Sequence, residues 1–215
     1  MIDGLHLVIV GKDVEGMYRS WEGLPHSPSL SGSAKFYWTA MVNERGRPLA
    51  SIGNSFLDFL DRYYPIQVFG LVHADCSFGP GSLEAFYECA MAGNVCGIAG
   101  RDPGKGNRWC CNTEEKTGDV VASLRPGPVS TLDSCAVFFR RDLGLRFDEV
   151  TFDGFHCHVE DLCLQAHAKG IPVVVPEADA SHRGDSTFDS EWQRQYRIYR
   201  GRLAYKWKGV AFETT

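Results

Sequence analysis

Three groups of residues in this chain have the types and spacing to bind a cation and move a proton. The first is His73-Ala-Asp75, which closes the apolar run Gly70-Leu-Val-His73. Past a strand end, the turn can bring both side chains toward one cation and its phosphates. Mg2+ and Mn2+ favour carboxylate oxygens with some imidazole, and they keep positions open for phosphate. The second is Glu160-Asp161, two carboxylates that open an amphipathic stretch directly after Phe155-His-Cys-His158. A deprotonated carboxylate beside a hydroxyl serves as general base in a displacement. The third is His182 in Ala178-Asp-Ala-Ser-His-Arg-Gly184, a third metal ligand with Arg183 beside it to contact phosphate. Each group has a structural alternative. Asp75 can cap a turn beside a packed histidine, acidic residues in a first helical turn are favoured by the helix dipole, and His182 can be an ordinary histidine. Their order along the chain favours metal-assisted group transfer to a hydroxyl.

The elements that must position these residues follow from apolar patterning. Leu5–Val10 reads as a strand that turns at Gly11-Lys-Asp13, and Lys35–Val42 as a second that ends at Asn43-Glu-Arg-Gly46. A helix is predicted over Ile52–Tyr63, a strand over Gln67–His73, a helix over Ser82–Ala92 and a strand over Val95–Gly100. Residues 101–128 are rich in Gly, Pro and charge and read as a mobile loop near the site. Residues 129–140 are apolar with Asp133 in their middle, and the helix 159–169 stops at Gly170 and feeds a strand over Ile171–Val175. This alternation predicts one α/β domain spanning 1–215, with a mostly parallel central sheet flanked by helices. Ligands of such sheets sit beyond the carboxyl ends of the strands, where Asp13, Glu44 and Asp75 all fall.

Composition narrows the function classes. With a net charge of −5 there is no global basic excess of the kind that marks nucleic-acid binders. No stretch is long enough to span a membrane, and the N-terminal apolar run reads as a first strand rather than a signal peptide. The eight cysteines lack paired CxxC spacing and several lie in apolar runs, so reduced core thiols and a cytoplasmic location are expected. A C-terminal helix at about 188–210 interleaves Arg194, Arg197, Arg200, Arg202, Lys206 and Lys208 with Trp192, Tyr196, Tyr199, Tyr205 and Trp207. Such a segment either packs its aromatics on the core or grips a diphosphate or nucleic-acid backbone.

Taken together, these segments resemble a family-2-type glycosyltransferase of the GT-A fold, over nearly the whole chain. Ser51-Ile-Gly-Asn54 and then Val68–Phe78 resemble the stretch that ends in the metal-binding DxD motif, with His73 in place of the first Asp. Thr131-Leu-Asp-Ser-Cys-Ala-Val-Phe-Phe-Arg-Arg141 resembles the strand lining the sugar pocket. Phe147-Asp-Glu149, His156-x-x-x-x-Asp161-Leu-x-Leu164 and Gly170 are similar to the acceptor-side segment, and Lys206-Trp207 to a frequent C-terminal pair. The resemblance implies a nucleotide-diphosphate-sugar donor, UDP-sugar first, with Mn2+ or Mg2+ held by Asp75 and His182. Asp161 would deprotonate the acceptor hydroxyl, with Glu160 as the rival base, and the transfer would invert the anomeric centre. Asp133 would hold sugar hydroxyls, Asp13, Asn43 and Glu44 would lie near base and ribose, and Asn54, His73 and Arg183 complete the donor contacts. The acceptor would be a saccharide, a protein or a hydroxymethylated DNA base. Two other classes compete: a non-catalytic nucleotide-sugar or glycan-binding module on the same fold, and a zinc-binding regulatory protein, against which the absent CxxC pairs count.

Overall fold

The computed structural model describes residues 2–12, 34–44, 46–101, 109–111, 126–182 and 190–212. The expectations placed on Asp13, Arg183 and most of 101–128 lie outside these residues. In chain order the first half holds β1 (Ile2–Gly11), β2 (Lys35–Val42), α1 (Leu49–Tyr63), β3 (Ile66–His73), β4 (Cys76–Phe78) and α2 (Ser82–Met91). Short strands β5 (Val95–Cys96), β6 (Ala99–Arg101), β7 (Trp109–Cys111), β8 (Gly127–Pro128) and β9 (Thr131–Leu132) follow. The remainder is β10 (Ala136–Arg140), a 3-10 turn at Arg141–Leu143, α3 (His158–Ala168), β11 (Val173–Val175), β12 (Ala180–His182) and α4 (Ser190–Lys206).

Among the described residues the main sheet has seven strands in the order β2-β1-β3-β10-β5-β11-β8. Strands β1, β2, β3, β5 and β11 run one way, and β10 and β8 run against them. The sheet is therefore mixed rather than simply doubly wound. No helix is described between β5 and β10, and a strand reached without a helical crossover returns antiparallel. The predicted single strand Val95–Gly100 breaks at Gly97, where a Cβ would sit 2.4 Å from the Ala136 carbonyl oxygen. Its second half, β6, leaves to form a three-stranded sheet with β7 and β9.

The core follows the period of two. Val8, Val10, Phe69, Leu71, Val137 and Phe139 pack on one face with Ile52, Leu57 and Leu60 of α1 and Val159, Leu162 and Ala166 of α3. Leu5, Leu7, Ile9, Val68, Val72 and Phe138 pack on the other with Leu83, Phe86 and Ala90 of α2. Strand residues buried on both faces are what a central strand between two helical layers requires. Gly70 of β3 is kept free of a side chain because its Cβ would press into the Phe138 ring at 2.7 Å. Asn54 of α1 uses its whole amide on one neighbour, donating to the Phe147 carbonyl at 2.8 Å and accepting from the Phe147 N–H at 3.0 Å. Among the described residues no helix is long and apolar enough to cross a membrane.

A third, smaller cluster of Phe152, Cys157, Leu164, Tyr199 and Leu203 docks α4. Only Tyr199 and Leu203 of that helix are buried, so polar contacts supply much of its attachment. Tyr199 donates to Asp153 at 2.8 Å, and Arg202 reaches the Thr151 carbonyl at 2.8 Å. At its C-terminal end Lys206 bridges Asp148 at 2.8 Å and the fully buried Asp161, also at 2.8 Å. Trp207 Nε1 donates to Asp161 Oδ1 at 2.7 Å, and Gln165 Nε2 to Asp161 Oδ2 at 2.8 Å. Removing one partner of a buried, hydrogen-bonded ion pair strands the others. Asp161→Ala is expected to lower folding stability by about 3 kcal/mol in urea denaturation, and a variant as stable as the parent would refute the structural role.

Candidate metal centre

The sheet ends β3 at His73 by tying the chain to both neighbours: His73 N–H donates to Cys135 O at 2.8 Å and Ala74 N–H to Val10 O at 2.9 Å. After a turn at Ala74-Asp75, β4 leaves the main sheet and pairs antiparallel with β12, placing Cys76 opposite His182. Gly79 permits this approach: its N–H donates to Asp179 O at 2.7 Å, and a Cβ there would fall 2.0 Å from the Asp179 carboxylate. Ser82 Oγ donates to the same carbonyl at 2.6 Å, fastening the start of α2 to β12. The ribbon thus carries His182, a hundred residues downstream, to the end of β3. His182 Nε2 lies 3.1 Å from Asp75 Oδ2, and ligand atoms of His73, Asp75 and His182 all lie within 4.8 Å of one another.

Burial and the hydrogen bond between Asp75 and His182 set the electrostatics of the cluster. Burial lowers the His73 pKa against the pull of Asp75 and Asp133. Its Nε2 is buried without a hydrogen-bond partner among the described residues, a state that costs free energy unless something binds it. Burial would raise the Asp75 pKa, but the His182 hydrogen bond and the charges of His182 and His73 hold it below the usual carboxylate value. Burial would lower His182, yet its bond to Asp75 and the charges of Cys76, Asp75 and Asp133 push it up to about 9. Two imidazoles and a carboxylate with an orphaned ring nitrogen fit a divalent ion, and the imidazoles shift preference from Mg2+ toward transition ions such as Mn2+.

Asp133, between β9 and β10, is half-buried, and its Oδ1 accepts the Cys135 N–H at 2.9 Å. Its charge acts on the imidazoles of His73, His182 and His156. His158 is fully buried against Phe147, and burial, with the charges of His73 and His156, pushes its pKa down to about 3 against a hydrogen bond to the Phe155 backbone.

Several sequence expectations require correction. Asp161, expected as general base, has no exposed surface and both carboxylate oxygens occupied by Lys206, Trp207 and Gln165. Glu160 is 2 % exposed, so neither carboxylate is open to an acceptor hydroxyl. Asn54 is a strut between α1 and Phe147 rather than a donor contact. Asn43 closes its own turn, donating to Arg47 O at 2.9 Å and accepting the Arg47 N–H at 2.8 Å, while Glu44 is exposed beside it. His73 moves from a donor contact to a candidate ligand. What the sequence reading missed is the division within Phe155-His-Cys-His158: Cys157, at φ 63, is the one described non-glycine residue in left-handed conformation. That kink sends His156 toward α4 and His158 into the core. The adjacent aromatics and histidines before a helix were its visible signal.

Comparison with protein-family models and with curated protein sequences returns no match for the chain. Among solved structures it is similar to A197 from STIV, with 11 % identity, 82 % of this chain and 83 % of that chain covered, and a TM-score of 0.44. A likeness at that score carries no argument about function.

A cation bound by the triad has to displace the His182 proton, which is held up to a pH of about 9. Mn2+ affinity is therefore expected to rise with pH by about tenfold per unit between roughly pH 6 and pH 8. Calorimetric titration of the protein and of Asp75→Asn checks this; the variant should lose the binding, and an affinity indifferent to both pH and Asp75 would place any cation elsewhere.

Proposed function

We propose that this chain is a metal-dependent glycosyltransferase that moves a sugar from a nucleotide-diphosphate donor, UDP-sugar first, to an acceptor hydroxyl with inversion. The observation that carries the reading is the convergence of His73, Asp75 and His182 at the carboxyl end of β3. Open α/β sheets bind ligands beyond such strand ends. The fit with the resemblance to GT-A family-2 enzymes lies in the same residues, His73-x-Asp75 and the late His182. A divalent cation held by His73, Asp75 and His182 would supply charge neutralisation for the departing diphosphate.

In the transfer, the acceptor oxygen forms a bond to the anomeric carbon while the bond from that carbon to the diphosphate oxygen breaks. The bonding pair leaves with the diphosphate, and the acceptor proton passes to a carboxylate. Asp133 takes that role here, because it is half-buried and its charge acts on His73 and His182, while Asp161 and Glu160 are sealed. One displacement with one base gives inversion. A second reading, a nucleotide-sugar or glycan-binding module without turnover, is favoured by a specific observation: the Asp161 carboxylate, the base implied by the resemblance, is committed to α4.

A thermal-shift and hydrolysis screen of UDP- and GDP-sugars with Mn2+ separates the two. Transferase chemistry predicts a shift and slow acceptor-free hydrolysis; a shift with no turnover leaves the binding module, and no response to any donor refutes both. Asp133→Asn is expected to lower turnover by about 100-fold with Mn2+ affinity kept, and unchanged turnover would move the base elsewhere.

A further inference from the structure

Away from the triad, two cysteine sulfurs meet where α2 turns back into β5. Helix α2 ends at Met91, and Gly93, at φ 90, reverses the chain after it. The reversed chain runs as β5 beside the helix, and the Cys96 S–H donates to the Phe86 carbonyl of α2 at 3.5 Å. One turn further along α2, the Cys89 sulfur is in hydrogen-bonding contact with the Cys96 thiol. Asn94, inside the reversal, closes the group. Its Nδ2 donates to the Cys89 carbonyl at 2.9 Å and to the Cys89 sulfur at 3.7 Å.

The two thiols are not equivalent. Cys96 has no exposed surface and lies between β10 and β11 in the main sheet. Burial, with the Cys89 contact, raises its pKa well above the ordinary thiol value. Cys89 is half-buried at the rim of the same apolar cluster. The hydrogen bond from Cys96 lowers its pKa; burial opposes that shift and the Asn94 bond supports it. A cysteine kept for packing alone is ordinarily buried, as Cys96 is and Cys89 is not. An accessible sulfur with thiolate character beside a second thiol is the arrangement of a redox-responsive pair. Cys76 and Cys135 also meet, with the Cys76 S–H on the Cys135 carbonyl at 3.4 Å, but both are buried and neither is open to an oxidant.

We propose that Cys89 and Cys96 form a reversible oxidation site, with a hydroperoxide as oxidant and Cys89 as the sulfur that reacts first. The Cys89 sulfur attacks one peroxide oxygen, the O–O bond breaks, and the other oxygen leaves with the thiol proton as water or alcohol. Cys89 is then a sulfenic acid. The Cys96 sulfur attacks the Cys89 sulfur, the S–O bond breaks, and the Cys96 proton departs with that oxygen as water. Two thiols are oxidised to one disulfide and one peroxide is reduced. The bond ties the last turn of α2 to β5, and a dithiol reverses it by exchange. Neither cysteine takes part in the transferase reading, so the site stands whether or not the chain turns over a nucleotide sugar.

Hydrogen peroxide added to the native full chain tests it, with the remaining thiols alkylated and the chain cleaved after Glu88 and Arg101 for mass spectrometry. The released segment Cys89–Arg101 has Cys89 and Cys96 as its two cysteines. It is expected unalkylated, lighter by the two thiol hydrogens, and restored by dithiothreitol. Before oxidation, Cys89 is expected to alkylate about tenfold or more faster than Cys96. In Cys96→Ala, Cys89 should be recovered as the dimedone adduct of its sulfenic acid; the mapping on the parent chain decides the matter even if that variant fails to fold. A segment that stays fully alkylated while other cysteines oxidise, Cys89 bonded to any other cysteine, or Cys89 carried straight to sulfinic acid would each overturn the proposal. So would a folded Cys96→Ala variant that yields no adduct, or a Cys96 that alkylates as fast as Cys89.

Discussion

The buried carboxylate of Asp161 is the contact on which the rest of the C-terminal half depends. It sits in the first turn of α3, where the helix dipole favours a negative charge, and it receives Lys206, Trp207 and Gln165 together. An ion pair taken out of water offsets its desolvation only when its remaining lone pairs are satisfied, and here both oxygens are. Lys206 is shared with Asp148, which burial would push up but which that lysine and Thr151 hold far below the ordinary carboxylate value. One cation thereby fixes α4 to both ends of the segment that contains the Cys157 kink. The position of His156 against Trp192 and Tyr196 follows from that attachment.

The candidate metal centre depends on a separate device. Two three-residue strands, β4 and β12, would be negligible alone, yet they bring His182 to Asp75 because Gly79, Ser82 and Asp179 clamp their far end. Ser77 and Ser181 add a hydroxyl pair across the same ribbon at 2.5 Å. The three candidate ligand atoms therefore owe their proximity to backbone pairing, while burial lowers the His73 pKa and the bond to Asp75 raises that of His182. Asp133, on the turn into β10, contributes charge at both His182 and His156.

Much of the fold was legible in the sequence, and the residues explain where legibility stopped. Helices α1, α2 and α3 fall within three residues of their predicted bounds, because long amphipathic repeats report which face is buried. Strand β3 was read to within one residue, since a buried apolar run ending in polar residues is a strong signal. The reversal of β10 was not visible, because direction in a sheet is set by connections and not by strand composition. Strands β4 and β12 are too short to carry any periodicity, so the meeting of Asp75 and His182 rested on the place of His182 after the last α/β unit and on the family resemblance, not on a strand signal. The role of Asp161 was misassigned for a related reason: an acidic residue opening a helix looks the same in sequence whether it faces an acceptor or a lysine brought from 45 residues downstream.

The central claim is that one cation bridges the His73–Asp75–His182 cluster and a donor diphosphate. Electron–nuclear double resonance of Mn2+ added to the protein with UDP tests this directly. Nitrogen couplings from two imidazoles and phosphorus coupling from the diphosphate on the same ion are the predicted result. Mn2+ that shows phosphorus coupling but no imidazole nitrogen, or imidazole nitrogen with no phosphorus, would contradict it.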